Sequence, residues 1–307
     1  MNIHKLSAVL AAGVAGGTLL LSASAAGAAT APAHGHAGGR EVGKSAVLSA
    51  APQLPSALPK GYTLVTSDFT AFAGAQDADT TWCPGTEQPV GGGAIVSSSD
   101  LQVNINRSYP DVAGGWTVSI SNASAASTPV TAYAICMAYS PYDQIVSATA
   151  SVGPGSVNSQ AVVCPAHTGV LGGGAYSYSP ATDVYMNSTV PNTFAGGRTG
   201  WRVAMASSDP SSANFIVYAV CRPKPKGYSI QWGQMQQVGP YTEGGASVTC
   251  PGTSVPITGG GFTDYTITDA WLAMNSSGPY GQGWVVYENN DEDVTRGVEA
   301  VAICAGS

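Results

Sequence analysis

Charge is what this sequence has least of: 9% of its 307 residues are Asp, Glu, Lys or Arg, where a soluble domain ordinarily carries about 25%. What charge there is leans acidic, with 18 Asp and Glu against 11 Lys and Arg. A protein that neutralises phosphates needs a basic footprint, so nucleic acid is excluded as a partner. Lys5, Arg40, Lys44 and Lys60 all precede residue 61, with Glu41 as the one acid there, so the remainder holds 7 basic and 17 acidic residues. Long apolar runs are also missing. Beyond the first 28 residues nothing approaches the roughly 18 unbroken apolar positions of a transmembrane helix, which predicts no membrane span in the mature protein.

Catalytic signatures are equally scarce. The sequence contains no Gly-x-Ser-x-Gly elbow and no His-Glu-x-x-His zinc helix. Of its four histidines only His167 lies beyond residue 60. A serine-type hydrolase would have to use it as the base, yet the matching positions in the other repeats described below are Thr86 and about Thr253, which suits a variable loop residue. Glu288, Asp291, Glu292 and Asp293 form the densest acidic group, but they lack calcium-loop spacing and read as a solvated loop. The expectation is a protein with no catalytic residues, no cofactor and no metal site.

Residues 1–28 run from Lys5 through an apolar stretch, Leu6 to Leu21, into small residues, with Ala23-Ser24-Ala25 and Ala26-Gly27-Ala28 as cleavage sites. That is a secretory signal peptide, and it predicts a secreted, extracellular protein. Residues 29–60, rich in Ala, Gly, Pro and Ser without a periodic apolar face, read as a disordered linker or propeptide.

The rest of the chain repeats itself three times, at 61–140, 141–226 and 227–307. Tyr62, Tyr142 and Tyr228 precede Cys83-Pro84, Cys164-Pro165 and Cys250-Pro251 by 21, 22 and 22 residues. A glycine triplet follows each cysteine at eight or nine residues: Gly91 to Gly93, Gly172 to Gly174, Gly259 to Gly261. Then come Asn106 to Pro110, Asn187 to Pro191 and Asn275 to Pro279, each of the form Asn-x-Ser/Thr-x-Pro, and Gly-Trp pairs at Trp116, Trp201 and Trp284. Each copy closes on Cys136, Cys221 or Cys304. Alternation such as Trp116, Val118, Ile120 against Thr117, Ser119, Ser121 is strand-like, and short β-prone runs between turn residues give five or six strands per copy.

Six cysteines allow 15 pairings. Repeat logic selects Cys83 with Cys136, Cys164 with Cys221, and Cys250 with Cys304, because each copy then closes on itself. Zinc would need closely spaced cysteine pairs, which are absent. The glycine triplets lack the remaining residues of a nucleotide fingerprint and suit strands that cross closely.

The order of these landmarks over 61–307 resembles an uncharacterised β-repeat module of exported actinobacterial and other bacterial proteins. The threefold, cysteine-bounded plan is similar to that of β-prism proteins such as the vitelline membrane outer layer protein, although that protein's sequence motifs differ. The resemblance implies a non-catalytic binding or structural role and carries over no site residues. The fold class expected is all-β, three tandem modules forming either a pseudo-threefold β-prism or three small sandwiches in a row.

For function, the repeated polar and aromatic positions are the candidates. Asn106, Asn187 and Asn275 both donate and accept hydrogen bonds. Trp116, Trp201 and Trp284 offer flat apolar faces of the kind that stack on sugars. The same residues also suit turns and core, and Asn-x-Ser/Thr matches glycosylation acceptors. The leading expectation is a secreted, non-enzymatic protein that binds glycans or cell-envelope polymers through up to three equivalent sites. The alternative is an extracellular protein-interaction, envelope-structural or protease-inhibitor protein that uses one exposed loop such as Pro191 to Arg198. A hydrolase comes third.

Overall fold

In the computed structural model, which describes residues 61–264 and 270–306, the period-two alternation of each repeat becomes long antiparallel strands. Repeat 1 supplies β1 (Tyr62–Ala71), β2 (Ala75–Trp82), β3 (Glu87–Val96), β4 (Val103–Asp111), β5 (Gly115–Asn122) and β6 (Thr128–Ala138). Repeat 2 supplies β7 (Gln144–Val152), β8 (Ser156–Val163), β9 (Gly169–Ser177), β10 (Val184–Thr193), β11 (Thr199–Ser207) and β12 (Ala213–Arg222). Repeat 3 supplies β13 (Ser229–Trp232), β14 (Gln236–Val238), β15 (Thr242–Thr249), β16 (Val255–Thr263), β17 (Leu272–Tyr280), β18 (Gly283–Asn290) and β19 (Arg296–Ala305). The segments expected to be a signal peptide, 1–28, and a linker or propeptide, 29–60, lie outside the described residues. Among those described, no helix is long and apolar enough to cross a membrane.

No sheet belongs to one repeat. The three sheets run β1-β6-β3-β17-β18-β15, β2-β5-β4-β9-β12-β7 and β13-β19-β16-β10-β11-β8, with β14 also on β19. Each repeat therefore gives three strands to one sheet and the rest to the next, and the three seams close a ring. The seams are short pairings between equivalent residues: Ser108 with Ala175, Thr189 with Gly261, and Ser277 with Ala94. This is the prism arrangement, and it excludes three independent sandwiches. One continuous apolar core, including Trp116, Trp201 and Trp284, runs through all three repeats.

Cys83–Cys136, Cys164–Cys221 and Cys250–Cys304 are joined as repeat logic requires, across sequence separations of 53, 57 and 54. On the chain-entropy view each loop of that size stabilises the fold by about 4 kcal/mol.

Strand register corrects two alignments read from the sequence. Gly92, Gly173 and Gly259 all face a Trp, where a Cβ would come within 2.3 to 2.6 Å of the indole. The third glycine triplet is therefore displaced by one residue relative to the other two, and Thr258 stands where the others have Gly91 and Gly172. The Tyr landmark of repeat 2 is also displaced. Gln144 pairs with Cys221 as Thr63 pairs with Cys136 and Ser229 with Cys304, so Asp143 occupies the place of Tyr62 and Tyr228. Tyr142 is 67% exposed beside it. Asp143 forms an ion pair with Arg222 at 2.5 Å, a polar replacement for the aromatic ring at that corner.

Candidate functional site

The six residues expected to form a threefold binding surface are interior. Trp116, Trp201 and Trp284 are no more than 1% exposed, and Asn106, Asn187 and Asn275 are 0% exposed. Each indole N–H donates to the Ser or Thr of its own Asn-x-Ser/Thr-x-Pro element: Trp116 to Ser108 at 2.9 Å, Trp201 to Thr189 at 2.7 Å, Trp284 to Ser277 at 2.9 Å. Each Asn is the extra residue of a β-bulge, between Ile105 and Arg107, Met186 and Ser188, Met274 and Ser276. The bulge turns its side chain inward, where the amide donates to a backbone carbonyl of the neighbouring repeat. Asn106 binds Val184, Asn187 binds Leu272, and Asn275 binds Val103. The elements are therefore stitching between repeats, buried in the fold and not laid out on its surface.

The other sequence candidates separate in the structure. His167 is exposed on the turn after Cys164-Pro165, with φ 66, where repeats 1 and 3 use Gly85 and Gly252 one residue earlier. Glu288 lies in the core at 1% exposure, while Glu292 pairs with Arg296 at 2.6 Å. Among the described residues no three or more His, Cys, Asp or Glu gather as a metal site would need.

The surface with the most binding chemistry is the outer face of the sheet shared by repeats 1 and 2. Tyr109 of β4 and Tyr218 of β12 stack at 5.8 Å between ring centroids. They close across Gly174 of β9, which pairs with Tyr218. A side chain there is forbidden, since its Cβ would lie 1.8 Å from the Ser108 carbonyl oxygen. Tyr176 meets Tyr109 edge-on at 5.2 Å, and Tyr178 meets Tyr176 edge-on at 4.9 Å. Tyr178 is 55% exposed, and the other three are half-buried. The Arg107 guanidinium lies 4.7 Å from the centre of the Tyr176 ring and donates to the Ser179 carbonyl at 3.1 Å. Thr80 and Thr117, bonded to each other at 2.7 Å, and Gln76, which donates to Ala181 at 2.7 Å, flank the rings with hydroxyls and an amide.

No family model and no curated protein matches the chain.

Burial raises the Tyr109 phenol above its ordinary value, with a hydrogen bond to Thr117 opposing, and burial followed by the neighbouring tyrosines raises that of Tyr218. Both hydroxyls thus remain protonated donors at neutral pH. The face supplies aromatic surface, hydroxyls and one cation, and places no nucleophile beside a base. It is unique to one sheet. Strand register puts Val190 and Gly278 where Tyr109 stands, Ile95 and Phe262 where Tyr176 stands, and Tyr133 and Val301 where Tyr218 stands. Even Tyr133 differs, being fully buried with its hydroxyl on the Ser277 carbonyl at 2.8 Å. Sequence reasoning sought features common to all three repeats and so passed over one confined to a single seam. The available signal was the departure of Tyr109 and Tyr176 from the residues in the other copies.

Proposed function

We propose that this chain is a secreted, non-enzymatic protein that binds a polysaccharide of the cell envelope or its surroundings through the tyrosine face. The observation that carries this reading is the Tyr109–Tyr218 pair stacked at 5.8 Å over a glycine, continued by Tyr176 and Tyr178. Pyranose rings present C–H faces that suit such a ledge and hydroxyl edges that suit the flanking Thr and Gln side chains. Three disulfides favour an oxidising compartment, in keeping with a leader at 1–28, and the resemblance to exported β-repeat modules points to a non-catalytic role. The binding unit is one face made by two repeats, so multivalency does not come from the threefold plan. Pull-down on insoluble polysaccharides and glycan arrays test the reading. The double variant Tyr109→Ala/Tyr218→Ala is expected to lose binding by tenfold or more, given about 1 kcal/mol or more per aromatic contact. Retention of full binding by that variant, or absence of binding to any polysaccharide, would count against it.

A second reading, interaction with an extracellular protein, draws support from the β10–β11 connection. Its 3-10 turn Ala195–Gly197 lengthens the hairpin in repeat 2, and Arg198 fastens it by donating to the Cys164 carbonyl at 2.7 Å. Repeat 3 turns the same corner at Gly281 and Gln282. Shortening 194–197 to that length would abolish capture of a protein partner and leave polysaccharide binding intact.

A further inference from the structure

Arg107 breaks a rule that the other two repeats keep. The residue after the bulged Asn is Ser188 in repeat 2 and Ser276 in repeat 3. Each hydroxyl bonds its preceding Asn side-chain oxygen, at 2.9 and 2.7 Å. Each also accepts the backbone N–H of the strand across the seam, from Thr263 at 3.1 Å and Val96 at 2.9 Å. In repeat 1 that position is Arg107. Asn106 Oδ1 is consequently buried without a hydrogen-bond donor, and Arg107 Nε is buried without an acceptor. An unsatisfied buried polar atom destabilises the fold, and a local rule broken without a structural gain is a mark of functional use.

What the substitution gains is position. The guanidinium lies over Tyr176 and is oriented by the Ser179 carbonyl, on the tyrosine face and beside the stacked Tyr109 ring. Among the described residues no carboxylate pairs with Arg107, although acids outnumber bases 18 to 11 in the chain. By contrast Arg222 is paired with Asp143, and Arg296 with Glu292. A planar fork held over an aromatic ring, with most of its donors unspent, suits bidentate recognition of a carboxylate.

We infer that the tyrosine face takes a polysaccharide built of uronic acids, with a sugar ring on Tyr109 and Tyr218 and its carboxylate on Arg107. This rests on the polysaccharide reading above. A uronic acid carries its carboxylate directly on the pyranose ring, so a ring seated on one tyrosine presents the group toward the cation on the next. A phosphodiester polymer carries its charge on a flexible link away from the ring, and a neutral polymer leaves Arg107 unpaired.

The test uses polygalacturonate, its fully methyl-esterified form, which is the same sugar without the charge, and poly(glycerol phosphate). The wild type is expected to bind polygalacturonate about tenfold more tightly than the ester, a preference that shrinks as salt is raised from about 50 to 500 mM. Arg107→Ser restores the serine of the other repeats. It is expected to unfold at a higher temperature than the wild type while losing the tenfold preference, and Arg107→Lys is expected to keep only part of it. A loss of binding with gained stability cannot come from misfolding. Equal binding to polygalacturonate and its ester, unchanged in Arg107→Ser, overturns the uronic-acid inference and leaves the polysaccharide reading standing. Preference for poly(glycerol phosphate) also overturns it. Absence of binding to every polymer, with Tyr109→Ala/Tyr218→Ala indistinguishable from wild type, overturns both.

Discussion

Glu288 shows how far one residue can depart from its repeat. It stands four positions after Trp284, where Ile120 and Met205 follow Trp116 and Trp201 in the core. Both its carboxyl oxygens are buried without a hydrogen-bond donor. Gly261 makes the room: an added Cβ would stand 3.0 Å from Glu288 Oε1, whereas repeats 1 and 2 have Ala94 and Ala175 there. Burial pushes this carboxyl well above its ordinary value of 4.5, so the folded protein holds it neutral where the unfolded chain ionises it. The stabilising contribution of the protonated group is complete below about pH 4.5 and is lost as pH rises toward the folded value, by up to about 1.4 kcal/mol per unit. Urea unfolding from pH 4.5 to 8.5 is expected to show that decline in the wild type. Glu288→Met, which copies Met205, should flatten it and be the more stable protein at pH 8. The tryptophans make a second prediction at this scale. Trp201→Ala removes a core ring and the donor to Thr189, and should cost about 3–5 kcal/mol in the same assay. None of this was legible at Glu288 from the sequence, where a group of four acids that includes it suggested a solvated loop. Alternation separates a strand's two faces without saying which one is covered. The inward direction of the three Trp–Val–Ile-type patterns was legible as a core alternative, but the bulges that drew the Asn amides inward were not.

At the scale of strands, the seams are the determining contacts. Gly174 and Gly260 lie where one repeat's strand crosses another's, and a Cβ at either would come within 1.8 or 1.7 Å of the Ser108 or Thr189 carbonyl oxygen. Backbone atoms cannot move aside as a flexible side chain can. Gly174→Ala and Gly260→Ala should therefore each destabilise by about 3 kcal/mol or more. Gly155→Ala, in a β7–β8 turn with φ 55 and open space around it, should cost about 1 kcal/mol. Thermal unfolding of the three variants distinguishes these outcomes. The glycine triplets were readable as places of close approach because glycine recurred at one module position, whereas their offset in repeat 3 needed register. The tyrosine face was invisible for a related reason. Tyr109 and the trio Tyr176, Tyr178 and Tyr218 belong to different repeats, and a pairing across a seam leaves no mark in sequence spacing.

For the whole molecule, cyclic sharing of sheets makes folding all or none across the repeats. In a fragment of residues 61–140 the edges of β3 and β4 that meet β17 and β9 are left open, so it should remain unfolded by circular dichroism even with Cys83–Cys136 formed. The chain from residue 61 onward should unfold in one calorimetric transition, and limited proteolysis should release no 80-residue pieces. Removing one disulfide by Cys164→Ala/Cys221→Ala should lower stability by about 4 kcal/mol on the chain-entropy view. Repeat boundaries, cysteine pairing and the all-β class were legible because six landmarks recur in order. The choice between prism and separate sandwiches was not, since both use the same strands within each repeat and differ only in which edges meet.

The ring of seams also fixes how such a protein can change over generations. An open array of repeats gains or loses a unit and remains an array, with ends much as before. Here a duplicated or deleted repeat would have to open a seam and close the ring again at another size, so a change of copy number disturbs the interior and not only the ends. Novelty must then arise by divergence of single positions among copies that keep their stitching, and Arg107, Glu288 and Asp143 are three such departures, one in each repeat.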